Sequence, residues 1–291
     1  MANIGIIDVD GHNFPNLALM KISAYHKSVG DSVSWVDIGK YDKTYMSKVF
    51  TFTNDYEQTF AELGEVIRGG SAYNYDNLPT EIEHIMPDYS LYGIRDTAYG
   101  FLTRGCPNKC SWCIVPNKEG NICENADIEE FWDGQKNAVL LDNNVLAHEH
   151  GLKQIEKIAR LKIAIDFNQG LDARIIANNE DIARLLGAVK WGKPIRLACD
   201  TKSQIPHIEK AVNLLRKHNA TPKAYFVYVL VKEIDDALER VEFLRGLGLD
   251  PFAQPYRDFE NNIKPTKEQK RFARWVNHKA IFKTVEYKNY V

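Results

Sequence analysis

The sequence predicts an α/β protein, a partial (β/α)6 barrel preceded by a small Rossmann-like domain. Three observations carry this. Short apolar runs alternate with amphipathic helical patterns, the sign of parallel sheets built from βα units. The runs fall into two series separated by an aperiodic stretch rich in Pro, Asp and Tyr. The second series contains six runs, the number that implies a partial barrel. At 291 residues, 44% hydrophobic and 26% charged, the chain is long enough for one large core or two smaller ones.

In the first series, Ile4 to Val9 reads as a buried strand. Pro15 and Asn16 open a helix with Leu17, Met20 and Ala24 on one face, and Gly30 stops it. Val33 and Trp35 alternate into a second strand, Lys48 to Thr53 is expected as a third, and Glu65 to Ile67 as a fourth ending at Gly69-Gly70. Residues 1–77 thus form the small domain and 78–97 the connection. The barrel is expected over 98–262, with strands at 98–104, 138–143, 163–168, 195–199, 224–231 and 251–256. Between them lie four helix faces: Leu152, Ile155, Ile158, Ala159; Ile182, Leu185, Leu186; Ile208, Ala211, Val212, Leu215; and Ile234, Ala237, Leu238, Val241. A helical tail, 263–291, follows.

Bulk charge excludes little but directs nothing. A net charge of -2 and a pI near 6.5 give no general pull toward nucleic acid or anionic membrane. The N-terminal run lacks a positive n-region and does not read as a signal peptide, and no stretch approaches the roughly 20 apolar residues of a span. Five cysteines, three of them clustered, do not form a disulfide framework in a chain this size. A reducing cytoplasm is the expected location.

The clustered cysteines are the chemical signal. Cys106-Pro-Asn-Lys-Cys110-Ser-Trp-Cys113 places three thiolates at Cys-x3-Cys-x2-Cys spacing. Clusters that only carry electrons are usually held by four cysteines, so three suit an iron–sulfur cluster with one iron open to another ligand. The plainer alternative is a structural zinc site completed by Cys123, or an inert cluster in a non-catalytic module. Zinc sites more often use paired Cys-x2-Cys hooks, and Cys123 reads as a bystander. Cys199, within the apolar run from Ile195, reads as a small buried hydrophobe. The motif follows the first barrel strand, where βα barrels build their active sites.

Spacing, Trp112, and the context from Gly100 through Arg104-Gly105-Cys106 to Ile114-Val115-Pro116 and Glu119-Gly120 resemble the radical S-adenosyl-L-methionine enzymes. The resemblance is to the branch with an N-terminal cobalamin-binding-type domain, and it covers most of the chain. It implies a 4Fe-4S cluster on Cys106, Cys110 and Cys113. It implies S-adenosylmethionine on the open iron, reductive cleavage to a 5′-deoxyadenosyl radical, and an external donor such as flavodoxin or ferredoxin. Trp112 matches the aromatic near the adenine. Asp142, Asn143 and Asn144 stand where the family often has Gly-Gly-Glu, so they depart from that motif while offering acceptors for the amino group of the cofactor. A helix cap is the other reading.

The residues themselves add further candidates. Asp166, Asn168 and Gln169 are expected to face the barrel mouth, toward ribose or substrate, with Arg174 as a carboxylate or ion-pair partner. Arg104 is a cation that could offset cluster charge or form a surface ion pair. Asp200, Lys202, Lys232, Glu233, Gln254, Tyr256 and Arg257 lie at later strand ends. The cobalamin-type domain matches its family poorly: Asp10 and His12 fit Asp-x-His-x-x-Gly, but Pro15 replaces the last glycine, and the spacing from Thr53, at the Ser/Thr motif position, to Gly69 of the Gly-Gly pair is short. The domain is therefore expected to be degenerate and cobalamin-free, with a cobalamin-dependent methyltransferase as the alternative. In the tail, Thr266 and Gln269 form a capping box. Its Lys267, Lys270, Arg271, Arg274 and Lys279 alternate with Phe272, Trp275 and Val276, a pattern that can touch nucleic acid but more simply packs its aromatics inward. Methyl transfer, epimerisation and ring rearrangement all share the radical start, and the sequence does not choose among them. Methylthiolation is disfavoured because no second three-cysteine site is present.

Overall fold

A run of three isoleucines in Asn3–Asp8 (β1) dictates the N-terminal architecture, because Ile4, Ile6 and Ile7 are 1%, 1% and 5% exposed and need cover on both faces. The computed structural model describes residues 1–11, 13–57, 60–220, 225–258, 261 and 263–290. It divides into two compact units. The first comprises Met1–Gly100, Asn117–Gly120 and Ala126–Ala138; the second, Phe101–Pro116, Asn121–Asn125 and Val139–Val291. Among the described residues, no helix is long and apolar enough to cross a membrane.

In the first unit, helix α1 (Leu17–Ser28) starts where the Asn16 side chain accepts from Leu19 N at 3.2 Å, and it ends before Gly30, whose φ is +87°. Strands β2 (Ser32–Trp35), β4 (Lys43–Ser47) and β6 (Glu65–Gly69) join β1 in a parallel sheet ordered β2-β1-β4-β6, and β3 (Gly39–Lys40) pairs in parallel with β5 (Ala61–Glu62). Gly5 permits the close approach at the sheet centre: a Cβ there would lie 2.7 Å from Val36 Cγ2 and 2.9 Å from Thr44 Oγ1.

The third strand of this sheet is Lys43–Ser47, not Lys48 to Thr53. The Asp10 carboxylate takes hydrogen bonds from Val49 N, Phe50 N and Thr53 Oγ1, folding the expected strand into a turn that leaves Phe50 and Phe52 half or more exposed. The segment 78–97 also carries structure, helix α2 (Thr80–Glu83) and a 3-10 turn at Tyr89–Tyr92. Ile82 packs with Ile4, Ile6, Leu19 and Ile22, while Tyr92 donates to Asp8 at 2.6 Å. Strand β7 (Thr97–Gly100) ends the continuous part of the unit.

The second unit opens with β8 (Thr103–Arg104), antiparallel to β9 (Cys123–Glu124), with helix α3 (Val115–Lys118) beginning between them. Strands β10 (Asn137–Leu140), β11 (Ala164–Phe167) and β12 (Lys190–Trp191) are neighbours in one sheet. A second sheet runs β13 (Ile195–Ala198), β14 (Tyr225–Val231), β15 (Asp250–Pro255), parallel throughout, and a parallel bridge from Leu171 to Leu197 connects the chain after β11 to β13. Helices α4 (Glu149–Leu161), α5 (Ala173–Asn178), α6 (Glu180–Ala188), α7 (Ile205–Lys217) and α8 (Ile234–Gly246) separate these strands, and α9 (Lys267–Asn277) and α10 (Lys279–Thr284) follow β15. The protein is therefore a mixed α/β fold with parallel sheets.

Helix α7 buries Ile208, Ala211, Val212 and Leu215 completely, the i, i+3, i+4, i+7 face read from the sequence. On α8 the inward set is Ala237, Arg240, Val241 and Leu244 instead, with Arg240 1% exposed. Its guanidinium donates to Cys199 O at 2.6 Å and Leu230 O at 2.9 Å, and Asp236 accepts from it. A cation thus ties the ends of β13 and β14 together.

Candidate functional site

The cysteine loop is bracketed by backbone. Below it, the β8–β9 pair sets Arg104 opposite Cys123, and Gly105 turns the chain at φ +76°. Above it, Cys113 N donates to Cys110 O at 3.0 Å. Asp142, 3% exposed, anchors the strand leading in: its carboxylate accepts from Leu102 N (3.2 Å), Thr103 N (2.6 Å) and Thr103 Oγ1 (2.7 Å). Burial pushes the Asp142 carboxyl up to about 6, against the downward pull of these hydrogen bonds.

Around Cys106 several side chains converge. Its sulfur accepts from Asn108 N at 3.4 Å and from Asn144 Nδ2 at 3.6 Å. Asn144 is 3% exposed, and its buried Oδ1 has no hydrogen-bond partner among the described residues. The same Nδ2 also reaches Asp172 Oδ2 at 3.3 Å, and Asn108 Nδ2 donates to that oxygen at 3.0 Å. Asp172 caps α5 and is gripped by Arg174 through Nε (2.8 Å) and Nη2 (2.6 Å). Burial raises the Asp172 carboxyl, but Arg174 and Asn108 together hold it below its ordinary range. Pro107, Asn108, Asp172, Arg174 and Ile175 line an open cleft on this side.

Cys110 faces the later strand ends. Burial raises its thiol, the neighbouring Cys113, Cys106 and Asp200 add to the rise, and Arg174 opposes it. Asp200 is itself raised by burial, while accepting from Leu230 N at 3.0 Å. Trp112 lies on Lys232, whose ammonium is 4.8 Å from the Trp112 ring and 4.4 Å from the ring of Tyr256.

The remaining candidates divide. Asp166 pairs with Arg196 of β13 and is 8% exposed, so its carboxylate is engaged in the sheet. Asn143 and Asn168 are half-buried, and Gln169 is exposed. Arg104 lies 4.0 Å from the Phe101 ring, a cation–π contact. Lys202 pairs with Glu239 at the surface. Cys123 is exposed with its sulfur 3.8 Å from Arg104 O. Cys199 is fully buried, which pushes its thiol up to about 12 and keeps it protonated. In the first unit, Asp10 is occupied by the turn described above, and His12 lies outside the described residues.

Sequence reasoning missed Asp172, Asn108 and Arg196. Asp172-x-Arg174 before a helix reads as an ordinary cap, and Asn108 sits inside the motif as a spacer. Among the described residues, no three His, Cys, Asp or Glu side chains are placed to hold a single metal ion. No protein-family model matches the chain, and no curated protein matches it in sequence.

Proposed function

We propose that the protein is a radical S-adenosylmethionine enzyme whose second unit is a partial βα barrel. In this reading Cys106, Cys110 and Cys113 hold a 4Fe-4S cluster. The observation that carries it is that Asn108 and Asn144 both donate to the Cys106 sulfur and both reach the Asp172 carboxylate, which Arg174 grips, with Asn144 in the loop after β10 and Asp172 in the loop after β11. When bound, such a cluster supplies the electron that cleaves S-adenosylmethionine to a radical able to abstract hydrogen from a substrate.

The residues fit that group chemically. Two N–H donors already aim at a thiol sulfur, as suits a thiolate carrying cluster charge. Arg174 supplies a fixed cation near Cys110 and Cys106. The buried Oδ1 of Asn144 has no donor among the described residues, a costly arrangement that a ligand amine would relieve. Trp112, braced by Lys232, offers an aromatic face beside the loop.

Anaerobic reconstitution with iron and sulfide tests the reading. The wild-type chain should bind about four irons and, after reduction with dithionite, release 5′-deoxyadenosine from S-adenosylmethionine. Cys106→Ala should lose both. A wild-type chain that takes up zinc but no iron–sulfur chromophore would sink the proposal.

A further inference from the structure

The C-terminal helices hold a concentration of positive charge that the fold neutralises only in part, through Lys279–Asp250 and Lys288–Glu286. Between Lys264 and Lys288 there are eight Lys and Arg against two Glu, in a chain whose net charge is -2. The apolar side of α9 faces inward: Phe272 and Trp275 are fully buried, and Trp275 Nε1 donates to Val285 O at 2.8 Å. Lys267, Lys270 and Arg274, spaced i, i+3, i+7, are exposed on the other side. With Lys264 and Lys283 they form no ion pair among the described residues. Single exposed lysines elsewhere, such as Lys136 and Lys193, also form no ion pair among the described residues; α9 differs in gathering three such cations on one helix face. Like charges at i, i+3 and i, i+4 weaken a helix, so this stripe works against the stability of its own element.

Its position is the second observation. Gln269 of α9 donates through Nε2 to Lys232 O at 2.8 Å, and the Lys232 ammonium rests on the ring of Trp112, the residue before exposed Cys113. The basic helix therefore starts at the edge of the cysteine loop. We propose that the exposed α9 stripe is the docking face for a small acidic protein that delivers single electrons to the cluster. This rests on the iron–sulfur reading above. One electron leaves the reduced donor, which is oxidised by one electron, and enters the cluster; no bond forms or breaks.

Charge complementarity of this kind chiefly speeds encounter and fixes orientation. Nucleic acid is the less favoured occupant, because the tail's Phe272 and Trp275 are buried and provide no platform on which bases stack. Proximity to the cysteine loop, moreover, serves electron delivery and has no bearing on phosphate contact.

The test uses the reconstituted full chain and its Lys267→Glu/Lys270→Glu/Arg274→Glu variant, with a reduced flavodoxin as the acidic one-electron probe. Bleaching of the cluster absorbance by flavodoxin should be at least tenfold slower in the variant and should slow with added salt in the wild type. Bleaching by dithionite should be the same in both. Calorimetric binding of oxidised flavodoxin should weaken in parallel, and a Lys267→Arg/Lys270→Arg chain should retain wild-type behaviour, which separates lost charge from damaged folding. Equal flavodoxin rates in wild type and charge-reversed chain would overturn the inference. So would unchanged flavodoxin rates alongside loss of salt-sensitive binding to a 30-mer single-stranded RNA, which would assign the face to nucleic acid. A wild-type chain that binds no cluster refutes the iron–sulfur reading instead, and is recognised before the variant is tested.

Discussion

Asp142 and Asn144 are two residues apart yet do different work. Asn144 reaches the Cys106 sulfur, whereas Asp142 is turned to the backbone of Leu102 and Thr103 and holds the strand that delivers the loop. Because the Asp142 carboxyl is raised to about 6 when folded and titrates near 3.9 when unfolded, ionising it costs the folded state. Its contribution is fully favourable below about pH 4 and is lost as pH rises toward 6. Relative to Asp142→Asn, the wild-type chain should lose up to about 3 kcal/mol of stability between pH 4 and pH 6, at about 1.4 kcal/mol per pKa unit. Urea melts of both chains across that window would measure it, and a constant difference would disprove it. The three cysteines stood out in the sequence by their spacing, as did the polar run after Leu141, and the structure brings Asn144 of that run to the Cys106 sulfur. The split of roles within that run was not legible, because it depends on which side chain meets backbone donors and which meets sulfur.

At the scale of elements, helical periodicity located α4, α6, α7 and α8, and β14 and β15 lie where their apolar runs predicted. Two departures have physical causes. Asp10 converts an apolar stretch into a turn by satisfying its amides, so the strand moved to Lys43–Ser47. On α8 an apolar count passes over Arg240, although that arginine is among the largest fully buried side chains. Arg240→Met keeps the aliphatic volume but leaves the carbonyls of Cys199 and Leu230 without this donor, at roughly 1–3 kcal/mol for each unsatisfied buried group. We expect about 3 kcal/mol of destabilisation, seen as a lower urea midpoint with an unchanged slope. A change under 1 kcal/mol would mean that water replaces the guanidinium.

For the molecule as a whole, the alternation of strands and helices gave the α/β class, because burial of a parallel strand on both faces writes an unbroken apolar run into the sequence. The division into two units is less visible in composition. Residues 78–97 look aperiodic, yet Ile82 and Tyr92 are tied into the first unit by packing and by a hydrogen bond to Asp8. Short contacts of that kind leave no period to read.

The five cysteines differ in reach, and that difference supplies a chemical count. Cys199 has no exposed surface and a thiol held protonated, whereas Cys106, Cys110, Cys113 and Cys123 all retain some exposure. Alkylation of the native, metal-free chain should therefore modify four thiols, and unfolding should release the fifth. If the cluster forms as proposed, reconstitution should reduce the native count to one, carried by Cys123. Mass spectrometry of the labelled peptides would give the occupancy of the loop thiol by thiol, with Cys199 as the internal gauge of whether the fold stayed closed during the reaction.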